Sequence, residues 1–286
     1  MARLPLTLSL YRLAGRLAPP VATYILRKRA RRGKEDASRL GERRGYPSLP
    51  RPRGPLVWIH AASVGETISV LSLIARLTAD GRHVLLTTGT VTSATLAASR
   101  LPKGAFHQYV PVDLPGATAR FLGHWQPDLA LFCESELWPT LMLETQRRSI
   151  PLGIINGRMS ERSAKGWQRA SGTIRTLLSP LAFCLAQSEA DAERYRRLGA
   201  PAVNAGNIKF DAAPLPVDIA ELDRLDAMIR RRPVFVAAST HPGEEAFVLE
   251  TAAQLRDNEP ELLTIIVPRH PQRGPEIAEM SRNGGM

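Results

Sequence analysis

From residue 54 onward, short apolar runs rich in β-branched residues alternate with segments of helical periodicity, and this alternation limits the fold more than any other feature of the chain. The runs at 56–60, 83–88, 106–110, 129–133, 152–155, 181–186 and 202–205 predict strands, and helical patterns at 66–79, 114–125, 139–148, 161–178 and 189–198 lie between them. Apolar strands, each followed by a helix, belong in a parallel sheet covered on both faces. Seven of them complete one Rossmann-like domain over residues 54–210. Residues 211–232, rich in Ala, Pro and Asp, read as a linker and a helix. A second α/β unit then begins, with a strand at 234–238, Ser239-Thr240-His241, a helix from about Pro242, and a strand at 263–267 leading into Pro268-Arg269-His270. Two strands do not enclose a core, so residues 211–286 read as linker plus an incomplete second domain that ends in EMSRNGGM.

Charge separates the first 53 residues from the rest. They hold 14 Lys/Arg against 3 Asp/Glu, while residues 54–286 hold 24 of each, so the net +11 resides in the N-terminal arm. Within that arm, Leu6, Leu10, Leu13 and Leu17 share one helical face and Arg12 and Arg16 another, followed by a basic cluster from Arg27 to Lys34. Arg12, Arg16 and Pro19-Pro20 interrupt it before a membrane span accumulates. An apolar stripe plus a polybasic segment describes an amphipathic helix lying on an anionic membrane surface. A signal peptide is disfavoured, because basic residues follow the apolar part and no small-residue cleavage site is present. No aromatic residue interleaves the cluster, which argues against stacking on nucleic-acid bases. Cys133 and Cys184 fall inside strand runs, as core thiols do, and no residue spacing suggests a metal site.

Several polar residues stand where strands end. In Ser63-Val64-Gly65-Glu66 the spacing makes a helix capping box, yet it also places a carboxylate at the C-terminal end of a strand, where α/β proteins bind ligands. Glu134 and Glu136 follow the strand at 129–133; a carboxylate there can be solvated or can stabilise positive charge. Trp138 reads as packing. Lys209 lies between Ile208 and Phe210 after the last strand of the first domain. Arg269 follows the strand at 263–267, where a guanidinium can hold a phosphate bidentately. Ser239 and Thr240 precede a helix N-terminus, a place for capping or for an anion.

The motifs HAASVGE, ESELWP, NGRMSERSAKGW, AQSEADAERYRRLGA, GNIKFD, AASTHPGEE and VPRHPQR occur in this order. Together, over about residues 1–275, they resemble the 3-deoxy-D-manno-octulosonic acid (Kdo) transferases of lipopolysaccharide synthesis. The resemblance implies a GT-B fold, two Rossmann-like domains facing across a cleft. It implies CMP-Kdo as donor, a lipid A precursor of the lipid IVA type as acceptor, inversion at the anomeric carbon without metal or other cofactor, and a place on the cytoplasmic face of the inner membrane. It makes Glu66 the general base, Glu136 the stabiliser of the transition state and Lys209 a stabiliser of the leaving group or of the transition state. It assigns Pro268 and Arg269 to contact with CMP; His270 beside them reads as a further CMP contact or a loop histidine, and Ser239 and Thr240 as CMP-binding or as ordinary capping residues. Chains of the family continue further, so the expectation is a truncated or frameshifted chain that, alone, has little or no transferase activity. The alternatives are an inactive membrane-bound fragment and a GT-B transferase that uses another activated sugar.

Overall fold

The computed structural model describes residues 4–211 and 217–283. The chain divides into two units, Met1–Ala213 and Pro214–Met286. In the first, helices α1 (Leu6–Leu17), α2 (Pro19–Arg31) and α3 (Leu40–Arg43) precede strand β1 (Leu56–His60). Then follow α4 (Val64–Ala79), β2 (His83–Thr88), α5 (Val91–Arg100), β3 (Ala105–Tyr109), α6 (Pro115–Trp125) and β4 (Leu129–Cys133). The unit continues with α7 (Pro139–Arg147), β5 (Leu152–Gly157), α8 (Glu161–Gln168), α9 (Ser171–Leu178), β6 (Phe183–Ala186), α10 (Glu189–Arg197) and β7 (Ala202–Asn204).

The seven strands form one parallel sheet in the order β3-β2-β1-β4-β5-β6-β7. The order reverses between β1 and β4, so the crevice beyond their C-terminal ends is the topological switch point of the sheet. Side chains alternate across the strand. Leu56 and Trp58 of β1 therefore join Phe121, Phe132 and Ile154 on one face, while Val57 and Ile59 join Val70, Ile74 and Leu131 on the other. The Trp58 ring lies 4.9 Å from that of Phe121 and 5.1 Å from that of Phe132. Cys133 and Cys184 are buried free thiols.

The helix expected over 161–178 is two helices, α8 and α9, broken at Ala170. Gly166 and Gly172 flank the break, and glycine is the weakest ordinary helix former. The break lets α9 bury Ile174, Leu177 and Leu178 while α8 buries Ala164 alone.

The N-terminal arm belongs to this unit rather than standing off from it. Leu8 of α1 is buried, Tyr11 donates to Asp113 (2.9 Å) and Arg12 to Glu144 (2.8 Å). The leucine stripe faces outward, with Leu6 74% and Leu17 76% exposed. Further along the arm, the buried Glu42 carboxylate accepts from Arg39, Ser48 and the backbone N–H of Tyr109 in β3. Gly45, at φ 83°, comes so close to α6 that a Cβ would sit 2.1 Å from the Ala117 carbonyl oxygen. Among the described residues no helix is long and apolar enough to cross a membrane.

The second unit has α11 (Ile219–Ile229), β8 (Val234–Thr240), α12 (Glu244–Arg256), β9 (Leu263–Pro268) and α13 (Gly274–Asn283). β8 and β9 pair in parallel. α12 starts two residues later than expected, because Pro242 is followed by Gly243 in the left-handed conformation, which serves as the N-cap. Residues 212–216 of the expected linker and the last three residues of EMSRNGGM lie outside the described residues.

Candidate functional site

Three loops of the first unit converge at the switch point. Ser63 caps α4 through a bond from the Glu66 N–H (3.3 Å), and the Glu66 carboxylate accepts from Ser63 Oγ (2.7 Å) and the Ala62 N–H (2.9 Å). The Ser63 half of the expected capping box is thus formed, while the Glu66 carboxylate reaches the N–H of Ala62, one residue before the cap, instead of that of Ser63; the same carboxylate stands beyond β1, largely buried. Burial raises its pKa above the ordinary carboxylate value. The Ser63 and Ala62 bonds oppose the rise, and the charges of Glu136 and Glu134 add to it.

β4 supplies the second loop. Glu134 adopts a left-handed backbone (φ 56°), unusual outside glycine, and its carbonyl is held by the buried Tyr195 hydroxyl at 2.9 Å. Two residues on, Glu136 Oε2 accepts from Trp138 Nε1 at 2.8 Å and lies 3.8 Å from His60 Nε2. The His60 imidazole, joined by the Trp138 N–H, holds the Glu136 carboxyl below the usual range, although burial pulls the other way. The two carboxylates facing the crevice are therefore tuned in opposite senses: one inclines to keep a proton, the other to lose it.

The third loop follows β7. Lys209 Nζ donates to Glu134 Oε1 at 2.9 Å, not to Glu136. This loop is tied to β5 by Asn156, whose Oδ1 accepts from the Ile208 N–H (3.2 Å). Asn156 is buried and left-handed (φ 52°), and its Nδ2 has no partner. Glu66, Glu136 and Lys209 thus meet around one crevice. Asn156 and His60 belong to the same crevice and escape sequence reasoning. The Asn-Gly pair at the end of β5 is a signal for a positive φ; His60 opens the HAASVGE motif, but neither its residue type nor its spacing marks a role.

The other motifs of this unit support the loops. Ser160 caps α8, and Glu161 pairs with Arg194 and Arg197. Ser188 caps α10 and bonds Asp191, which accepts from the Met159 N–H.

In the second unit, Ser239, Thr240, Pro268, Arg269 and His270 come together at the C-terminal ends of β8 and β9. Ser239 is left-handed (φ 65°) and sits at a bulge between Ala238 and Thr240. The Arg269 N–H donates to the Thr240 carbonyl at 2.9 Å, and the Arg269 and His270 side chains are exposed. Neither Ser239 nor Thr240 caps α12; that helix has no side-chain cap.

Comparison with known proteins matches residues 38–212 to the family described as 3-deoxy-D-manno-octulosonic-acid transferase (kdotransferase). The chain is 35% identical to a probable mitochondrial 3-deoxy-D-manno-octulosonic acid transferase of Arabidopsis thaliana, over 96% of this chain and 64% of the relative. It is 36% identical to the 3-deoxy-D-manno-octulosonic acid transferase of Haemophilus influenzae, over 85% of this chain and 58% of the relative. The chain therefore spans roughly half to two thirds of the length of the curated relatives it matches. Among solved structures, it resembles a UDP-GlcNAc 2-epimerase from Neisseria meningitidis (TM-score 0.55, 14% identity, 80% of this chain and 70% of the other). It also resembles a glycosyltransferase from Rickettsia africae (TM-score 0.53, 12% identity, 82% and 66%). At such identities the likeness establishes the fold, the GT-B-like α/β class expected from the sequence.

Proposed function

The chain belongs to the 3-deoxy-D-manno-octulosonic-acid transferase family, and on that premise we propose that the protein moves Kdo from CMP-Kdo to a hydroxyl of a lipid A precursor. The observation that carries this reading is the Glu66 carboxylate, buried beyond the central strand at the switch point with a raised pKa. A base of that kind can take the acceptor hydroxyl's proton. The acceptor oxygen then bonds to the anomeric carbon as the bond from that carbon to the phosphate oxygen breaks. CMP leaves and the anomeric configuration inverts. Glu136, kept ionised, faces the positive charge that builds on the sugar. Lys209 supplies positive charge through its ammonium; in the second unit, the exposed Arg269 carries a guanidinium of the kind that holds a phosphate. The exposed leucines of α1 and the basic residues of α2 support a seat on an anionic leaflet, as on the cytoplasmic face of the inner membrane.

The test is transfer by the full-length protein from CMP-Kdo to lipid IVA in detergent micelles, compared with Glu66→Gln. The Ser63 side chain still caps the helix, and the rate is expected to fall by about 10²–10⁴-fold. Full turnover in a folded Glu66→Gln protein, or use of another sugar nucleotide in place of CMP-Kdo, would sink the reading. Activity is also expected to decline as pH falls through the raised pKa of Glu66, because only the ionised form is a base.

A further inference from the structure

His60 ends β1 with its side chain fully buried, and its Nε2 has no hydrogen-bond partner. The ring lies edge-on to Phe132 at 5.5 Å and to Trp138 at 6.5 Å. Its Nδ1 is 3.2 Å from the Thr87 carbonyl oxygen and 3.0 Å from Thr87 Oγ1. A carbonyl only accepts, so Nδ1 carries the proton. Thr87 Oγ1 also takes the Trp58 indole N–H at 2.9 Å, which fits it as an acceptor on both sides. In neutral His60 the Nε2 is then a bare lone pair, and 3.8 Å in front of it stands Glu136 Oε2, another acceptor. Two acceptors face each other at the floor of a largely buried site, an arrangement that costs free energy unless a proton lies between them.

We infer that His60 and Glu136 form an ion pair, the added proton resting on Nε2 in front of Oε2, and that His60 is the positioning residue for Glu136. The pair consists of an imidazole protonated at Nδ1, a carboxylate and one added proton. It is neutral as a whole. Its catalytic meaning rests on the proposed Kdo transfer. With the proton on Nε2, Glu136 meets the positive charge that grows at the anomeric carbon as a full anion. No bond to the sugar is made by either residue. Trp138 and His60 both address Oε2, which leaves Oε1 to meet the substrate. The other ionisable groups around the pair are Glu66 from α4, Glu134 on the same loop with its partner Lys209, and Cys133. Burial pushes the Cys133 thiol up to about 12, so it stays uncharged.

The experiment is a long-range ¹H–¹⁵N correlation spectrum of ¹⁵N-histidine-labelled full-length protein near neutral pH, in the wild type and in Glu136→Gln. Expected are two protonated ring nitrogens on His60 in the wild type. In Glu136→Gln a protonated Nδ1 and a bare Nε2 are expected. A bare Nε2 in the wild type, or one spectrum for both proteins, would overturn the pair. The positioning role is read from kcat in two variants. His60→Gln returns an N–H near the place of Nε2, whereas His60→Asn fills only the place of Nδ1. The glutamine variant should have a kcat roughly tenfold or more above that of the asparagine variant, with similar KM; equal losses would overturn that role. A wild-type protein that fails to transfer Kdo counts against the proposed function, and the spectra still decide the pair.

Discussion

β1 of the first unit buries all five of its residues, whereas β8 of the second, just as apolar and also paired in parallel, leaves Val236 54% exposed. Its neighbour β9 leaves Val267 50% exposed on the same side. The local ingredients are alike: β-branched runs, short turns, helices packed on at least one face. What differs is the number of strands and the cover. β1 has strands on both sides and helices above and below, so each residue has somewhere to go. The two-stranded sheet has α12 and α13 against one face, where Leu249, Ala252 and Ile277 are buried, and its other face is open among the described residues. Apolar patterning thus selects a strand, but burial comes from neighbours, and most of the stabilisation follows burial.

The largest test of this contrast is a pair of alanine substitutions. Trp58→Ala should cost about 3–5 kcal/mol in denaturant unfolding of the first unit. Val236→Ala should stay within about 0.5 kcal/mol. Comparable losses would mean that the open face of β8 is covered in solution. Native-state hydrogen exchange comes next. Amides of β8 should exchange on the order of a hundredfold sooner than those of β1, whose exchange waits for global unfolding.

A smaller effect concerns acid. His107 in β3 sits between Arg39 and Thr88, and its Nδ1 must accept from the Arg39 guanidinium, so Nε2 donates to Thr88 Oγ1. Burial first, and the Arg39 charge second, lower its pKa from 6.5 to about 3. Between those values the unfolded chain binds the proton and the folded unit does not, so stability is full above 6.5 and is lost as pH falls toward 3. His107→Gln should flatten that part of the stability curve; an unaltered slope would remove His107 as its source. The smallest effect on stability is expected from Leu6→Ser together with Leu10→Ser and Leu13→Ser, since all three are exposed. The same triple change should abolish binding to anionic vesicles, and unchanged binding would reject α1 as the membrane-facing element.

Much of the first unit was legible because each strand run is long enough to show its apolar character and each helix its period. Strand boundaries differ by one or two residues at β3, β5, β6 and β7. The site was legible only in part, and for a physical reason. Glu66 announces itself through a local spacing, and Glu136 and Lys209 through motifs. The bond from Lys209 to Glu134 spans 75 residues, and His60 meets Glu136 only because β1 and β4 are neighbours in the sheet. No local pattern encodes such proximity. The break at Ala170 was missed for the opposite reason: each half of the segment is helical, and only the packing of α9 requires the corner.

The contacts that hold α1 in place carry a consequence for timing. Thr7 meets Thr173, Arg12 meets Glu144 and Tyr11 meets Asp113, partners that lie 166, 132 and 102 residues downstream. At a synthesis rate of about 5–20 residues per second, the docking face of α1 waits on the order of ten to thirty seconds for the last of these partners to be made. Until those partners are made the segment is not held by them, and both the residues that the folded unit will cover and the leucine stripe that it will not are free of those contacts. Whatever the stripe binds, it can bind before the rest of the protein exists.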